Sequence, residues 1–248
     1  MGRSVCAIAT TPVKGFALQF PDRVLVTRDG VAQNRLFALI DANGERLRSS
    51  KHAWSSTVVA AYDDRTERLH MRFPDGLELE AAARLGQAVR FDYHGGLVDA
   101  HVVDGPWTEP LSRLARMPVR LVKLDRAGSM QGQPVTLVSS ASLDRFAAEA
   151  RSDVDSRRFR MLFQIDGCDE HEEDRWMDRR VRVGEAVVRV VELVERCVVT
   201  TRDPATGERD LDSLEVLRRY RGSVELGIRA AVEEPGVVAV GAPVEPLD

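Results

Sequence analysis

The stretch ERCVVTTRDPATGERD, residues 195–210, decides how the rest of the chain is read. It joins a valine-rich run to a polar turn. Asp203-Pro204 and Gly207 punctuate that turn, and an Asx-type bond from Asp203 would help to close it. Cys197 stands where the apolar run ends, beside Arg196 and close to Arg202, with the hydroxyls of Thr200 and Thr201 following it. A thiol between guanidinium groups can react or ligate as the thiolate. A soft thiolate suits a soft or high-valent metal centre that bears sulfur ligands. The plainer reading is a small buried hydrophobe in a valine strand, since free Cys is among the most buried residue types. Spacing alone favours the plainer reading.

Upstream, VRVGEAVVRVVELVERCVVTT (181–201) is dense in valine, which suits strands. Glu185, Arg189 and Glu192 break strict alternation, so a bend or short turn is predicted inside it. Downstream, DSLE (212–215) has the pattern of a capping box, with Asp212 accepting from the amide three residues on and Glu215 reaching back. A helix follows, with Leu214, Leu217 and Tyr220 on one face. Strands are predicted at 119–124 and 135–138. Leu143, Phe146 and Ala147 then recur at helical spacing. In the first half, Asp29-Gly30, Asn43-Gly44 and Asp75-Gly76 separate β-prone runs at 24–26, 36–40, 57–61 and 69–73. These pairs suit type I′ hairpin turns. The segment around Gly95-Gly96 and Gly105-Pro106 reads as a loop, and a boundary is placed there. The expectation is a mostly β protein with a few helices, in two barrel-like parts, residues 1–104 and 105–248.

The bulk numbers narrow the function. The chain has 248 residues, 44% of them hydrophobic, and Lys plus Arg total 35 against 39 Asp plus Glu, a net charge of -4. That balance gives no support to a nucleic-acid partner. The N-terminal stretch MGRSVCAIATTPVKGF is broken by Pro12 and Lys14 before a secretory core forms, and no segment reaches bilayer-spanning length. The expectation is a cytoplasmic protein without a membrane partner. Cys6, Cys168 and Cys197 do not form a disulfide scaffold. Gly-rich phosphate loops and a nucleophile elbow are absent.

Other residues hold two readings each. Cys168 in DGCDEHEEDRW (166–176) makes a C-x-x-H pair with His171. Zinc would need a second ligand pair, and the surrounding acids read most simply as a solvated loop. Those carboxylates also tend to raise a thiol pKa, so Cys168 is the poorer nucleophile. In SRRFRM (156–161), Arg158 and Arg160 would share a face if the segment were a strand, and two guanidiniums on one face can hold a phosphate. A solvent-facing strand edge fits equally well. Lys14 in TPVKG and Arg35 in QNRLF are single cations beside apolar strands, and alone they read as surface.

Taken together these motifs resemble the MOSC superfamily. PVKG (12–15) and NRLF (34–37) resemble the N-terminal β-barrel domain that precedes MOSC domains. SRRFRMLFQIDGCDEHEEDRW, RVRVGEAVVRV and ERCVVTTRDPATGERDLDSLEVLRRYRG resemble the MOSC domain, and EEPGVVAVGAPVEPL its last strands. The RC-x-x-TT-x-DP-x-TG signature is the specific part. The family includes amidoxime-reducing components, bacterial N-hydroxylated base reductases and the C-terminal domains of molybdenum cofactor sulfurases. The resemblance implies a molybdenum cofactor (molybdopterin) whose metal is ligated by Cys197. It implies that Lys14, Arg35 and Arg160, with Arg158 beside them, hold the anionic pterin phosphate. Ser139, Ser140, Ser142, Thr200 and Thr201 would add hydroxyl donors, and Cys168 with Asp169 would lie near the metal in a catalytic role. The implied activity is an oxidoreductase acting on a small N-hydroxylated substrate. An electron-transfer partner protein would feed it, since no flavin, haem or iron–sulfur motif is present. Two alternatives remain: a sulfur carrier or sulfurtransferase using a Cys197 persulfide, and a non-catalytic cofactor carrier. The chain departs from the reductases at three places. It reads Arg160-Met161-Leu162 where they read Arg-Pro-Asn, Asn34 where an Asp is usual, and Gly241-Ala242 for a usual Gly-Asp.

Overall fold

Seventeen strands and three α-helices make up the described residues of the computed structural model, which are 2–93, 96–125 and 134–247. The largest sheet has seven strands, in the spatial order Ser4–Ile8, Phe163–Asp166, Val135–Ser139, Glu225–Glu234, Ala186–Glu195, Arg180–Val183, Val244–Pro246. Its two edges nearly meet. Ser4 bridges Pro243, Val5 N donates to Ala242 O at 2.9 Å, and Val244 N donates to Arg3 O at 3.0 Å. The result is a barrel-like sheet whose inward residues alternate along each strand. Val5, Ile8, Leu137, Phe163, Ile165, Val181, Val183, Val190 and Ile228 are all buried in one cluster inside it.

The valine-rich run 181–201 forms strands up to Glu195 with a turn inside it, as predicted, but Val198–Thr201 winds into a 3-10 turn instead of continuing the strand. Arg180–Val183 and Ala186–Glu195 pair as a hairpin across Gly184, whose φ is +59°. The register shift between Val190 and Glu192 explains why Glu192 falls out of alternation with Arg189, since the extra residue turns the next side chain to the other face, while Glu185 lies in the turn.

A second sheet joins Phe37–Asp41, Val119–Leu124, Leu97–Asp104 and Arg84–Asp92 in that order, and so takes strands from both sides of residue 104. A three-stranded sheet of Val59–Asp63, Arg68–Arg72 and Glu78–Ala82 lies over a shared core with Phe16, Phe37, Leu69, Met71, Trp107 and Leu121. Helix α1, Thr108–Ala115, closes that core with Leu111. A last sheet of three strands pairs Gly236–Ala239 with Arg23–Thr27, and that strand in turn with Gly30–Val31, so a late segment of the chain is stitched to an early one. Among the described residues, no helix is long and apolar enough to cross a membrane.

Three local expectations change. Asn43-Gly44 and Asp75-Gly76 do form turns, but not of type I′. Gly44 N donates to Asp41 O at 3.2 Å and Gly76 N to Phe73 O at 3.0 Å, and only the glycines take positive φ, +82° and +87°. This is a type I turn followed by a left-handed glycine. Asp41 Oδ1 favours it by accepting from Asn43 N and Glu45 N at 2.8 and 2.9 Å. Thr57 ends a 3-10 turn, Ala53–Thr57, and the strand begins only at Val59. Arg158 and Arg160 do not share a strand face. Asp155 caps Arg157 N at 2.9 Å and winds Ser156–Phe159 into a 3-10 turn, leaving Arg160 in the left-handed region at φ +53°. Gly95 lies outside the described residues; Gly96 accepts from Tyr93 N at 2.7 Å.

Helix α2, Ser140–Ala150, starts where Ser139 Oγ accepts from Ser142 N at 3.0 Å. The Ser139 amide itself donates to the fully buried Glu173 Oε1 at 3.1 Å. Helix α3, Ser213–Arg221, starts at Asp212, whose side chain accepts from Glu215 N at 3.1 Å, one half of the predicted box. It ends at Gly222, φ +74°, with Arg218, Arg219 and Arg221 in its last turn, where they favour the negative end of the helix dipole. Val216 and Leu217 pack on Phe146, Phe159 and Leu226.

Two measurements check this account. Asp212→Ala removes a side-chain cap from an exposed position, so urea unfolding should show a loss of about 1 kcal/mol. Burial pushes the Glu173 carboxyl above its ordinary value. An acid with a raised folded pKa binds its proton more tightly when folded, so its contribution is greatest at low pH and is lost as pH rises through the raised value. Glu173→Gln should therefore gain stability relative to the parent as pH rises from about 4 towards neutrality. A gap that stays flat with pH would show that Glu173 does not titrate in that range.

Candidate functional site

A cleft of about 330 Å³ opens between Lys14, Arg35 and the 46–50 segment on one side and residues of the barrel-like sheet and its turns on the other. A larger cavity, about 540 Å³, lies between residues 10–12, 19–25, 31–34 and 62–64 and holds none of the candidate site residues. The smaller cleft gathers most of the candidate cations and Cys197. Lys14, Arg35, Arg46, Arg48, Arg158, Arg160, Arg196 and Arg229 line it, against the single carboxylate of Glu195.

Each cation is placed by local backbone. Lys14 N donates to Phe37 O at 2.8 Å, and the following Gly15 has φ +91°. A Cβ on Gly15 would lie 2.5 Å from Ser49 Oγ, so only glycine fits there. The Lys14 ammonium sits 4.6 Å over the Tyr93 ring. Burial holds Lys14 well below its usual pKa, the charges of Arg35, Arg46 and Arg160 add to this, and Cys197 opposes it. Arg35 takes φ +56°, and its Nη2 donates to Arg160 O at 3.1 Å. Arg160 Nη2 donates in turn to Phe16 O at 2.7 Å, and burial followed by the charge of Arg35 lowers Arg160 to about 9. Two arginines in the left-handed region are strained positions of the kind that gather at ligand sites.

Arg196 is buried beside Cys197. Its Nε donates to Leu226 O at 2.9 Å, its Nη1 to Phe159 O at 2.9 Å, and its Nη2 to Met161 Sδ at 2.7 Å. Burial brings it down to about 9. The guanidiniums of Arg35, Arg160 and Arg196 are thus bonded to main-chain oxygens and one thioether instead of carboxylates. Such a group of charges favours an anion.

Cys197 is exposed and caps the 3-10 turn Val198–Thr201. Thr200 Oγ1 donates to Cys197 O at 2.9 Å and Thr201 Oγ1 to Val198 O at 2.8 Å, so both hydroxyls close the turn. Thr200 lines the cleft and Thr201 does not. The predicted Asx turn is present: Asp203 Oδ1 accepts from Ala205 N and Thr206 N, each at 2.8 Å. Arg202 then closes the turn through Gly207 O at 2.9 Å and ties it to the first half of the chain through Ser50 O at 3.3 Å. Arg158 also lines the cleft, but its charge is matched. Its Nη2 meets Asp210 Oδ2 at 2.8 Å, while Nη1 reaches Thr200 O at 3.0 Å and Arg202 O at 3.2 Å. Its role here is to shape the turn that carries Cys197.

Lys14, Arg35, Arg160 and Cys197, far apart in sequence, line one cleft. Cys168, Asp169, Ser139, Ser140 and Ser142 do not line it. Burial, followed by the charges of Glu172 and Glu173, pushes the half-buried Cys168 thiol up to about 12. Asp169 is exposed, and its amide donates to Glu172 Oε2 at 2.9 Å. Ser139 and Ser142 share a hydrogen bond of 2.6 Å at the start of α2. Ser140 Oγ bonds Asp166 and accepts from Gln164 Nε2 at 3.0 Å. The His171 ring faces Arg221 through Nδ1, which leaves no zinc-type pairing of that nitrogen with Cys168. Sequence reading missed Arg46, Arg48 and Arg229. The signal for the first two was present in ERLRS, where Leu47 alternates with two cations.

Comparison with known proteins follows this geometry. Residues 93–245 match the MOSC domain. Mitochondrial amidoxime-reducing component 1 of Mus musculus is 32% identical over 132 residues, covering 48% of this chain and 38% of that protein. Mitochondrial amidoxime reducing component 2 of Rattus norvegicus is 33% identical over 123 residues, covering 45% and 36%. The match therefore spans well under half the length of these relatives. Among solved structures, the YuaD protein from Bacillus subtilis aligns over 98% of this chain and 94% of its own, with 10% identity and a TM-score of 0.49. The family match takes in more than half of the residues, and the chain belongs to the MOSC domain family.

Proposed function

We propose that this protein holds a molybdenum cofactor in the cationic cleft and reduces N-hydroxylated compounds there. The observation that carries the reading is the meeting of an exposed thiol, Cys197, with Lys14, Arg35 and Arg160 in one cleft. Those three heads would hold the pterin phosphate, since Arg35 and Arg160 are bonded to neutral main-chain oxygens, Lys14 lies over the Tyr93 ring, and none of these partners is an anion that would compete with a charged oxyanion. Cys197 would ligate the metal as thiolate, and Arg196 beneath it would hold the backbone of that ligand fixed. The apolar side chains of Phe159, Met161 and Val194 would limit water. When bound, the cofactor would supply a two-electron redox centre with an open coordination position. Cys168 and Asp169 enter only in supporting roles, because neither lines the cleft. Electrons would come from a partner redox protein. Division of the chain near Asp104 remains part of this reading, with the N-terminal part supplying Lys14 and Arg35 and the MOSC part supplying Arg160 and Cys197. Likeness to amidoxime-reducing components supports the reaction class.

The ligand assignment is checked by metal analysis of protein made in a cofactor-producing host, beside a cofactor-deficient control. Cys197→Ser should lose molybdenum to the control level while its circular dichroism stays unchanged. Full occupancy in that variant would overturn the assignment. Cys168→Ala should cost no more than about tenfold in turnover, the scale of a supporting group. Equal losses in the two variants would point to a thiol pair. Metal-replete protein with an electron donor should reduce at least one member of a panel of hydroxylamines, amidoximes and hydroxylated bases. No turnover, together with stoichiometric persulfide on Cys197 after exposure to a sulfur donor, would favour the sulfur-carrier reading.

A further inference from the structure

The hairpin that follows Phe37–Asp41 brings two more arginines to the cleft. Asp41 N donates to Glu45 O at 2.9 Å, Leu47 N donates to Leu39 O at 2.8 Å, and Ile40 bridges Arg46. Residues 45–48 therefore run extended against a core strand, where successive side chains point to opposite faces. Leu47 packs against the core beside Phe37 and Leu39. Arg46 and Arg48 then fall on the other face, and both line the cleft. Arg46 is half-buried, with its guanidinium 5.1 Å over the Tyr93 ring, and Arg48 is exposed at the mouth. Among the described residues neither forms an ion pair. Asp92 is the one carboxylate whose field reaches Arg46.

Charge counting separates these two from the rest. Asp210 matches Arg158, and Glu192 matches Arg229. A phosphate monoester carries about −1.5 to −2 at neutral pH, a charge already assigned to Lys14, Arg35 and Arg160. Arg46 and Arg48 belong to neither group, and among the described residues neither has an ion-pair partner of its own. A guanidinium fork matches a carboxylate in geometry as well as in charge.

We propose that Arg46 and Arg48 form an anion-recognising rim, which selects N-hydroxylated substrates bearing a negatively charged group on an apolar body and rejects cationic ones. The proposal rests on the reductase reading above. The apolar body would lie along Phe159, Met161 and Val194, which line the same cleft.

The test uses two benzamidoximes that differ only at the para position, one carboxylate and one trimethylammonium. Both carry the same N–O bond. Cofactor-loaded protein is supplied with electrons by a reduced viologen, so no partner protein is needed. The carboxylate compound should show kcat/KM about tenfold or more above the ammonium compound at low salt, chiefly through KM. The ratio should shrink at about 1 M salt, where the screening length is about 3 Å. In the double variant Arg46→Ser/Arg48→Ser it should fall close to one, with molybdenum content retained. A ratio near one in the parent, a ratio unmoved in the double variant, or loss of metal from that variant would each overturn the rim. The matching unreactive amides provide a second readout, equilibrium binding by NMR titration. If neither amidoxime is reduced but the carboxylate amide binds more tightly, and the double variant abolishes that difference, the reductase reading fails and the rim stands.

Discussion

The guanidinium of Arg196 joins the parts of this site. It is buried beneath Cys197, and its hydrogen bonds end on Leu226 of the barrel-like sheet and on Phe159 and Met161, the residues either side of Arg160. One charged group beside the thiol thus holds the Phe159 carbonyl and the Met161 side chain, on either side of a cleft-lining arginine. Burying a cation is costly unless its donors are satisfied. Here main-chain carbonyls and a thioether do so, and the Phe159 ring lies 5.5 Å from the guanidinium carbon. None of these partners cancels its charge. The same holds for Arg35 and Arg160, so the field of three guanidiniums is directed into the cleft instead of being absorbed by the fold.

That arrangement explains the strain nearby. Arg35 and Arg160 both take positive φ, a region that side chains rarely adopt. Arg160 reaches it because Asp155 winds the preceding residues into a short turn, and Arg35 because its amide is drawn to Thr11 O at 2.6 Å. The two residues are also linked, Arg35 Nη2 to Arg160 O, across the meeting point of the two halves of the chain. Extended backbone at either position would turn the guanidinium elsewhere. The loop after Cys197 contributes a second link, through Arg202 to Ser50 O and through Gly207, where a Cβ would come within 2.6 Å of Ala53 O.

Much of this was legible in the sequence where local chemistry alone sets the structure. The Asp212 half of the capping box, the Asx turn at Asp203 and a turn inside 181–201 each depend on a few neighbouring residues, and each is legible there, although the sequence does not place that turn at Gly184. The convergence of Lys14, Arg35 and Arg160 came from motif resemblance, since spacing made each look like surface. The turn at 156–159 was misread because RRFR has strand-like alternation, and the Asp155 cap that overrides it carries no periodic signal. Arg46 and Arg48 were missed for another reason. Which face of an extended segment lines a cleft depends on what packs on the opposite face, and Leu47 reveals that only once the core around Phe37 is known.

The departure at Met161 shows how such substitutions can be accommodated. A thioether there accepts from Arg196 Nη2 at 2.7 Å and also lines the cleft, while Leu162 turns inward and is buried in the barrel core. The polar Asn of the reductases is therefore replaced by an apolar residue that cannot reach the cleft, and an adjacent sulfur takes up the wall. A wall of this kind offers a substrate surface contact but few directional bonds. Under the proposed reading, orientation within the cleft would then depend largely on charge, because cations are the most numerous polar groups lining it. An apolar wall interleaved with cations sets two complementary constraints, and under the proposed reading they would together favour amphipathic substrates over uniformly polar ones.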